Sequence, residues 1–144
     1  MAERRARTTW RGDLASGSGT TEFDSGAIPP QEVSWSARTE ESGGKTSPEE
    51  LIAGAHATCV SMALAHALAE GGTPPTQLTT DAVATFDRAE DGFAITSMLL
   101  VVRGVVEGLD DPGFKQAADE AKANCPVSKA LAGNVEITLD AALA

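Results

Sequence analysis

An apolar stretch over residues 48–70, with helix signals at both ends, constrains this sequence more than any other feature. Ser47 is a good N-cap, Pro48 suits the first turn, and Glu50 completes an S-x-x-E capping box. A Gly-Gly pair then ends the helix. Because almost every residue between these signals is apolar, the pattern predicts a long helix that is buried on nearly all sides.

The flanking segments predict strands and a second, interrupted helix. Strands are predicted over residues 8–13, 18–24, 31–40, 78–87, 93–106 and 134–142. A helix is predicted from Asp110 to Ala123, and Pro126 breaks it before a short helix over 127–131. Because the strands and helices do not alternate as βαβ units, we expect an α+β fold, and a chain of 144 residues suits one domain over residues 1–144.

The charge of the chain argues against several classes of partner. A net charge of −10 repels phosphate backbones and anionic lipid, so neither nucleic acid nor a membrane is expected to bind. The apolar helix is too rich in alanine for a comfortable membrane span. The arginines near the start have no apolar segment after them, as a secretory signal would require. We therefore expect a cytoplasmic protein.

The two cysteines are the clearest candidates for chemistry. A structural disulfide is disfavoured in the cytosol, so such a pair is free, metal-bound or redox-active. Cys59 lies midway along the apolar helix, where a buried core thiol is the simplest interpretation. Cys125 lies where one helix stops and another begins, and the positive end of a helix dipole lowers the pKa of a thiol. An unreactive residue at a helix break is the alternative for Cys125.

Four other polar residues have both structural and functional interpretations. His56 is three residues before Cys59 and within reach of its sulfur, although packing or capping is the simpler role for His56 and His66. Glu49 is an acid in the first helical turn, where the helix dipole favours it. Arg38, at the end of a predicted strand, is either an exposed edge residue or a cation that stabilises a thiolate and the oxygen leaving a peroxide.

The two cysteine segments together resemble the OsmC/Ohr family of thiol peroxidases. Residues 46–59 (TSPEELIAGAHATC) resemble its first-cysteine helix, and residues 124–131 (NCPVSKAL) resemble its second-cysteine segment. Shorter segments over residues 10–13, 91–96 and 136–139 also fit. The likeness runs from one end of the chain to the other and favours the OsmC branch.

The resemblance implies a catalytic cycle for these residues. Cys59 would attack the peroxide oxygen, Cys125 would resolve the resulting sulfenic acid as a disulfide, and Arg38 and Glu49 would hold the reactive thiolate. The substrates implied are organic hydroperoxides, with hydrogen peroxide as a second candidate, in oxidative or osmotic stress defence. A lipoyl-type dithiol would regenerate the enzyme, with no bound cofactor or metal. One departure is Val60, which stands where an aromatic residue is expected and bears on substrate preference.

The resemblance also implies an OsmC-like fold, with antiparallel sheets around a long buried central helix in an intertwined homodimer. The spacing of Glu49 and Cys59 favours the same assembly. Ten residues of straight helix span about 15 Å, which a glutamate side chain does not cover. If both residues serve one site, Glu49 comes from the other subunit or the helix bends.

Two other functions remain open on the sequence alone. The same thiols would suit a non-catalytic, redox-responsive stress or binding protein, which would be oxidised slowly and would not consume peroxide continuously in the presence of a dithiol. A metal site built from Cys59, Cys125 and His56 is the third hypothesis, although the spacing supplies few ligands.

Overall fold

The computed structural model describes residues 1–144 and contains six strands and four helices. In chain order they are β1 (Ala6–Arg11), β2 (Ser18–Phe23), β3 (Gln31–Val33), α1 (Trp35–Thr39), α2 (Pro48–Glu70), β4 (Gln77–Ala89), β5 (Gly92–Val105), α3 (Asp111–Asn124), α4 (Pro126–Leu131) and β6 (Glu136–Leu143). These elements form two units, over residues 1–51 and 52–144. The prediction of a single domain over the whole chain stays a prediction.

The first unit contains an antiparallel sheet in the order β1-β2-β3. The strand predicted over residues 31–40 is wrong beyond Val33. Ser34 instead caps α1, because its side chain accepts a hydrogen bond of 3.2 Å from the Ala37 N–H. Arg38 therefore lies in the last turn of a short helix and not at the end of a strand.

The second unit contains a sheet in the order β4-β5-β6. β4 and β5 form a long antiparallel hairpin with one irregularity between Thr85 and Phe86. β6 pairs with β5 in parallel, so the expectation of antiparallel sheets is wrong for this pair. A parallel pair requires a crossover connection, and α3 and α4 supply it between β5 and β6.

The start of α2 follows the sequence signals with one difference. The Glu50 N–H donates to Ser47 Oγ at 3.2 Å, which confirms Ser47 as the cap. The Glu50 carboxylate accepts from Thr46 Oγ1 at 2.8 Å. In a capping box the Glu50 side chain would accept from the Ser47 N–H. Here it accepts from the hydroxyl of Thr46, the residue before the cap.

Within the second unit, α2 buries one face. Val60, Leu64 and Leu68 recur every four residues and belong to a core cluster that includes Met98 and Leu100 of β5. On the opposite side of the helix the side chain of Met62 is 69% exposed. The all-round burial predicted for this helix is therefore not reached within a single chain.

By length and composition alone, α2 is long and apolar enough to cross a membrane. This differs from the expectation that its many alanines make a membrane span unfavourable. The core helix of a soluble protein meets the same criterion. In this chain only one face of α2, with Val60, Leu64 and Leu68, packs in the core.

Candidate active site

The junction of α3 and α4 holds Cys125 in the core. Cys125 ends α3 and is the N-cap of α4. Its N–H donates to the Ala121 carbonyl at 2.9 Å, and its own carbonyl accepts from the Lys129 N–H at 3.0 Å. The buried ring of Phe114 on α3 packs directly on Gly104 of β5. The Cys125 side chain is fully buried.

The thiol of Cys59, on the buried side of α2, is the neighbour of the Cys125 thiol. Cys59 is partly exposed, packs against the core cluster that contains Cys125, and forms no disulfide with it. The two side chains are close enough that each thiol alters the pKa of the other. The structure thus brings together two thiols that lie far apart in the sequence.

The two thiols differ in their preference for charge. Burial raises the pKa of the Cys59 thiol, the adjacent Cys125 thiol raises it further, and the Val127 N–H only partly offsets the rise. Burial also opposes ionisation of Cys125, but donors from Cys59, Ser128 and Val127 together lower the pKa of the Cys125 thiol. Within this chain the negative charge is therefore favoured on Cys125.

The pKa of Cys125 is lowered in the direction expected at a helix N-terminus, with donors from Cys59, Ser128 and Val127 as the causes. Cys125 makes no short side-chain hydrogen bond at the start of α4, so the Val127 and Ser128 donors act on the sulfur as nearby dipoles. Sequence analysis did not single out these two residues. The signal was present, because an N-cap at Cys125 and Pro126 at N1 place Val127 and Ser128 at N2 and N3.

His56 faces Ser128 and not the Cys59 sulfur. Its ring is fully buried, and Nε2 lies 2.7 Å from Ser128 Oγ, whereas Nδ1 is buried without a hydrogen-bond partner. Burial lowers the pKa of His56, so the imidazole is neutral at pH 7. His56, Cys59 and Cys125 do not form a group of metal ligands, and the structure contains no cluster of three or more such side chains.

Val60, the residue that departs from the resemblance, is fully buried in the core of the second unit. Its side chain belongs to the same apolar cluster as Leu64 and Leu68. The identity of residue 60 therefore bears on core packing next to Cys59 in the sequence.

The first unit brings Arg38 and Glu49 together as a second pair. The Arg38 guanidinium donates from Nε to both carboxylate oxygens at 3.1 and 3.2 Å, and from one terminal nitrogen to Oε1 at 2.8 Å. Glu49 is 7% exposed, so it is not the surface acid of the simpler interpretation. A bidentate pair of this kind fixes the plane of the guanidinium.

These features define a class: an α+β protein in which a helix carries one thiol and a helix N-terminus carries the other. Comparison with known proteins identifies the family. The OsmC-like protein family matches residues 41–140. The chain is 42% identical over 137 residues to peroxiredoxin OsmC of Escherichia coli (strain K12), covering 95% of this chain and 94% of that protein. The chain belongs to the OsmC-like protein family.

The Ohr branch is also similar. The chain is 33% identical over 98 residues to the organic hydroperoxide resistance protein OhrA of Bacillus subtilis (strain 168), covering 67% of each protein. The crystal structure of OhrB from Bacillus subtilis has a TM-score of 0.76 at 27% identity, over 95% of this chain and 97% of that one. The predicted resemblance to the OsmC/Ohr family and the mixed α+β fold are confirmed.

Proposed function

We propose that the protein is a cytoplasmic, thiol-dependent peroxidase that reduces organic hydroperoxides to alcohols in oxidative or osmotic stress defence. Hydrogen peroxide is a second candidate substrate. The relatives support the reaction type, since they are named for peroxiredoxin activity and organic hydroperoxide resistance. The observation that carries the proposal is the proximity of the Cys59 and Cys125 thiols at one apolar core cluster.

The proposed cycle has two steps on the protein. The Cys59 thiolate attacks a peroxide oxygen, so that an S–O bond forms, the O–O bond breaks, and the departing alkoxide takes a proton to become the alcohol. Cys59 is thereby oxidised to the sulfenic acid. The Cys125 thiolate then attacks the Cys59 sulfur, the S–S bond forms, and hydroxide leaves and is protonated to water.

Reduction of the Cys59–Cys125 disulfide requires an external dithiol, for which we propose a lipoyl-type compound. One thiolate of the dithiol attacks the protein disulfide to give a mixed disulfide. The second thiolate then releases the reduced protein and closes a disulfide within the reductant. No protein-bound cofactor or metal is needed at any step.

The charge preference of the two thiols supports the second step more directly than the first. The lowered pKa of Cys125 favours the thiolate form that resolves the sulfenic acid. Attack on the peroxide instead requires a thiolate at Cys59. Burial opposes this, since it raises the pKa of the Cys59 thiol. We propose that the Arg38 guanidinium, oriented by Glu49, supplies the missing positive charge and also stabilises the departing alkoxide.

We further propose an intertwined homodimer in which the Arg38–Glu49 pair of one chain serves Cys59 of the other. The distance argument supports it, because Glu49 and Cys59 are separated by about 15 Å of helix. Exposed apolar side chains in the second unit support it as well, since Met62 on α2 and Val83 and Leu99 on the hairpin are 69%, 54% and 41% exposed.

The test of the peroxidase proposal is turnover of cumene hydroperoxide with a dithiol in excess. Cys59→Ser is expected to abolish turnover, because the nucleophile is lost. Cys125→Ser is expected to consume about one equivalent per chain and then stall, because the sulfenic acid has no resolving thiol. Sustained turnover by Cys59→Ser would refute the proposal.

A redox-responsive protein without catalytic turnover remains the second candidate, and the raised pKa of Cys59 favours it. A mainly protonated thiol reacts slowly with peroxide. The kinetics separate the two functions. A sensor would be oxidised once per chain at a slow rate, and added dithiol would not sustain peroxide consumption.

A further inference from the structure

Two pairs of residues face each other across α2 and the first turn of α4. His56 and Cys59 are three residues apart on α2, and Cys125 and Ser128 have the same spacing where α4 begins. Residues at this spacing lie on one side of a helix. The structure joins the pairs at two places. Cys59 packs against the core cluster that contains Cys125, and a hydrogen bond of 2.7 Å joins His56 Nε2 and Ser128 Oγ.

The His56–Ser128 hydrogen bond is unusual because both of its partners are buried. His56 is fully buried and Ser128 is 5% exposed. The bond also leaves His56 Nδ1 without a partner in the core, which is unfavourable for a polar atom. Apolar side chains would fill this space without that penalty, so the pair is better explained by a geometric role beside the thiols than by stability.

The hydrogen positions follow from the unpartnered nitrogen. A neutral imidazole whose proton is on Nε2 leaves Nδ1 as a bare acceptor, and bare acceptors are tolerated in cores better than orphaned N–H groups. Ser128 Oγ then accepts from His56. The single hydroxyl hydrogen of Ser128 is free to point to the Cys125 sulfur, on which it acts as a donor.

We propose that His56 and Ser128 are positioning residues for closure of the Cys59–Cys125 disulfide, because their hydrogen bond fixes the first turn of α4 against α2. The inference rests on the proposed peroxidase cycle. In closure, the Cys125 sulfur attacks the Cys59 sulfur, the S–S bond forms, the S–O bond breaks, and the oxygen leaves as water. This displacement requires the two sulfurs to be held close and in line, which a linked pair of helical turns provides.

The experiment compares disulfide closure in Ser128→Ala with closure in a matched control. Ser61→Ala is the control, because Ser61 Oγ bonds Thr80 Oγ1 at 2.8 Å and so joins α2 to β4 by a similar contact away from the thiols. Reduced protein receives one equivalent of cumene hydroperoxide. Consumption of the hydroperoxide measures Cys59 oxidation, and competition with dimedone for the sulfenic acid measures closure.

We expect Ser128→Ala to oxidise Cys59 within about twofold of the wild-type rate and to close the disulfide about 5- to 20-fold more slowly, the range for loss of one positioning hydrogen bond. Ser61→Ala should close at the wild-type rate. His56→Gln keeps an N–H donor at the position of Nε2 and should restore most of the rate, whereas His56→Leu should match Ser128→Ala. If His56→Leu does not fold, Ser128→Ala decides the question when closure is measured at a pH that ionises Cys125 in both proteins, because the effect of the lost Ser128 donor on the Cys125 pKa is then removed.

Wild-type closure in Ser128→Ala, or equal slowing in Ser61→Ala, would overturn the inference. Failure of the underlying peroxidase proposal gives a different result, because cumene hydroperoxide would then oxidise Cys59 slowly or not at all in every variant, the wild type included. A second measurement covers that case. Equilibration with reduced and oxidised glutathione forms the same disulfide without peroxide, and the effective concentration of the thiol pair should fall by the same factor in Ser128→Ala.

Discussion

The Arg38–Glu49 pair gives the sharpest test of how the proposed site is assembled. Glu49→Gln keeps the shape of the side chain but removes its charge and turns one oxygen acceptor into an N–H₂ donor. Glu49 is almost fully buried and receives three hydrogen bonds from Arg38, of which at least one, that to Oε2, is lost. Because Arg38 remains 30% exposed and partly hydrated, we expect a loss of about 2 kcal/mol in the free energy of unfolding.

The matched control is Glu50→Gln in the same helical turn. Glu50 is exposed and accepts only from Thr46 Oγ1 at 2.8 Å, so its replacement should change stability by no more than about 0.5 kcal/mol. Urea denaturation at one fixed protein concentration measures both variants, since the stability of a dimer depends on concentration. In the same variants we expect Cys59 oxidation by cumene hydroperoxide to slow by about 10- to 100-fold in Glu49→Gln only.

Mixing two inactive variants tests whether the pair acts across subunits. Random reassociation of Cys59→Ser chains with Glu49→Gln chains in equal amounts makes half of the dimers hybrid. Each hybrid has one site in which an intact Cys59 meets an intact Glu49 of the partner, so about one quarter of wild-type activity should return. If each Glu49 serves its own chain, no intact site forms and the mixture stays inactive. That result, or a fully active monomer in sedimentation, would refute the reasoning.

Two further changes test the fold around the site. Gly104→Ala should destabilise the protein by about 1–3 kcal/mol in urea denaturation, because a Cβ at Gly104 would lie 2.6 Å from Cζ of the Phe114 ring; an unchanged midpoint would contradict the packing described. Burial lowers the pKa of His56, because the core favours the neutral imidazole. The contribution of the buried, neutral His56 to stability is therefore fully present above the ordinary histidine pKa of about 6.5. It is lost as the pH falls from there through the folded-state pKa. Over that range stability should fall by up to about 1.4 kcal/mol per pH unit, and His56→Gln should flatten the slope; an unchanged slope would show that His56 is not the group responsible.

Local signals in the sequence predicted much of the fold. The Ser47 cap and the Gly-Gly stop bracket α2, and Pro126 marks the break between α3 and α4, because each of these signals acts within a few residues. The error over residues 31–40 has a local cause as well. The alternation of apolar residues favoured a strand, but the Ser34 cap stabilises a helical turn after Val33. β6 runs parallel to β5 because two helices cross over between them. The alternation of apolar residues within a strand does not indicate the direction in which the strand pairs.

The candidate site was predictable in its chemistry and less so in its contacts. The position of Cys125 at a helix N-terminus is a local feature, and it predicted the direction of the pKa shift. The His56–Ser128 contact joins residues 72 positions apart and depends on how α4 packs on α2. The predicted roles of Cys59, Cys125, Arg38 and Glu49 stay predictions until the variants are measured.

The charge preferences of the two thiols connect catalysis to assembly. Within the second unit Cys59 stays protonated and Cys125 is the better thiolate, so these residues are prepared to resolve a sulfenic acid but not to form one. If the guanidinium that ionises Cys59 comes from the partner, an isolated chain holds Cys59 as an unreactive thiol. In such a chain Cys59 would be protected from over-oxidation, because the thiolate and not the thiol reacts with peroxide. Dimerisation would then switch on the attack on peroxide at the same moment that it completes the site.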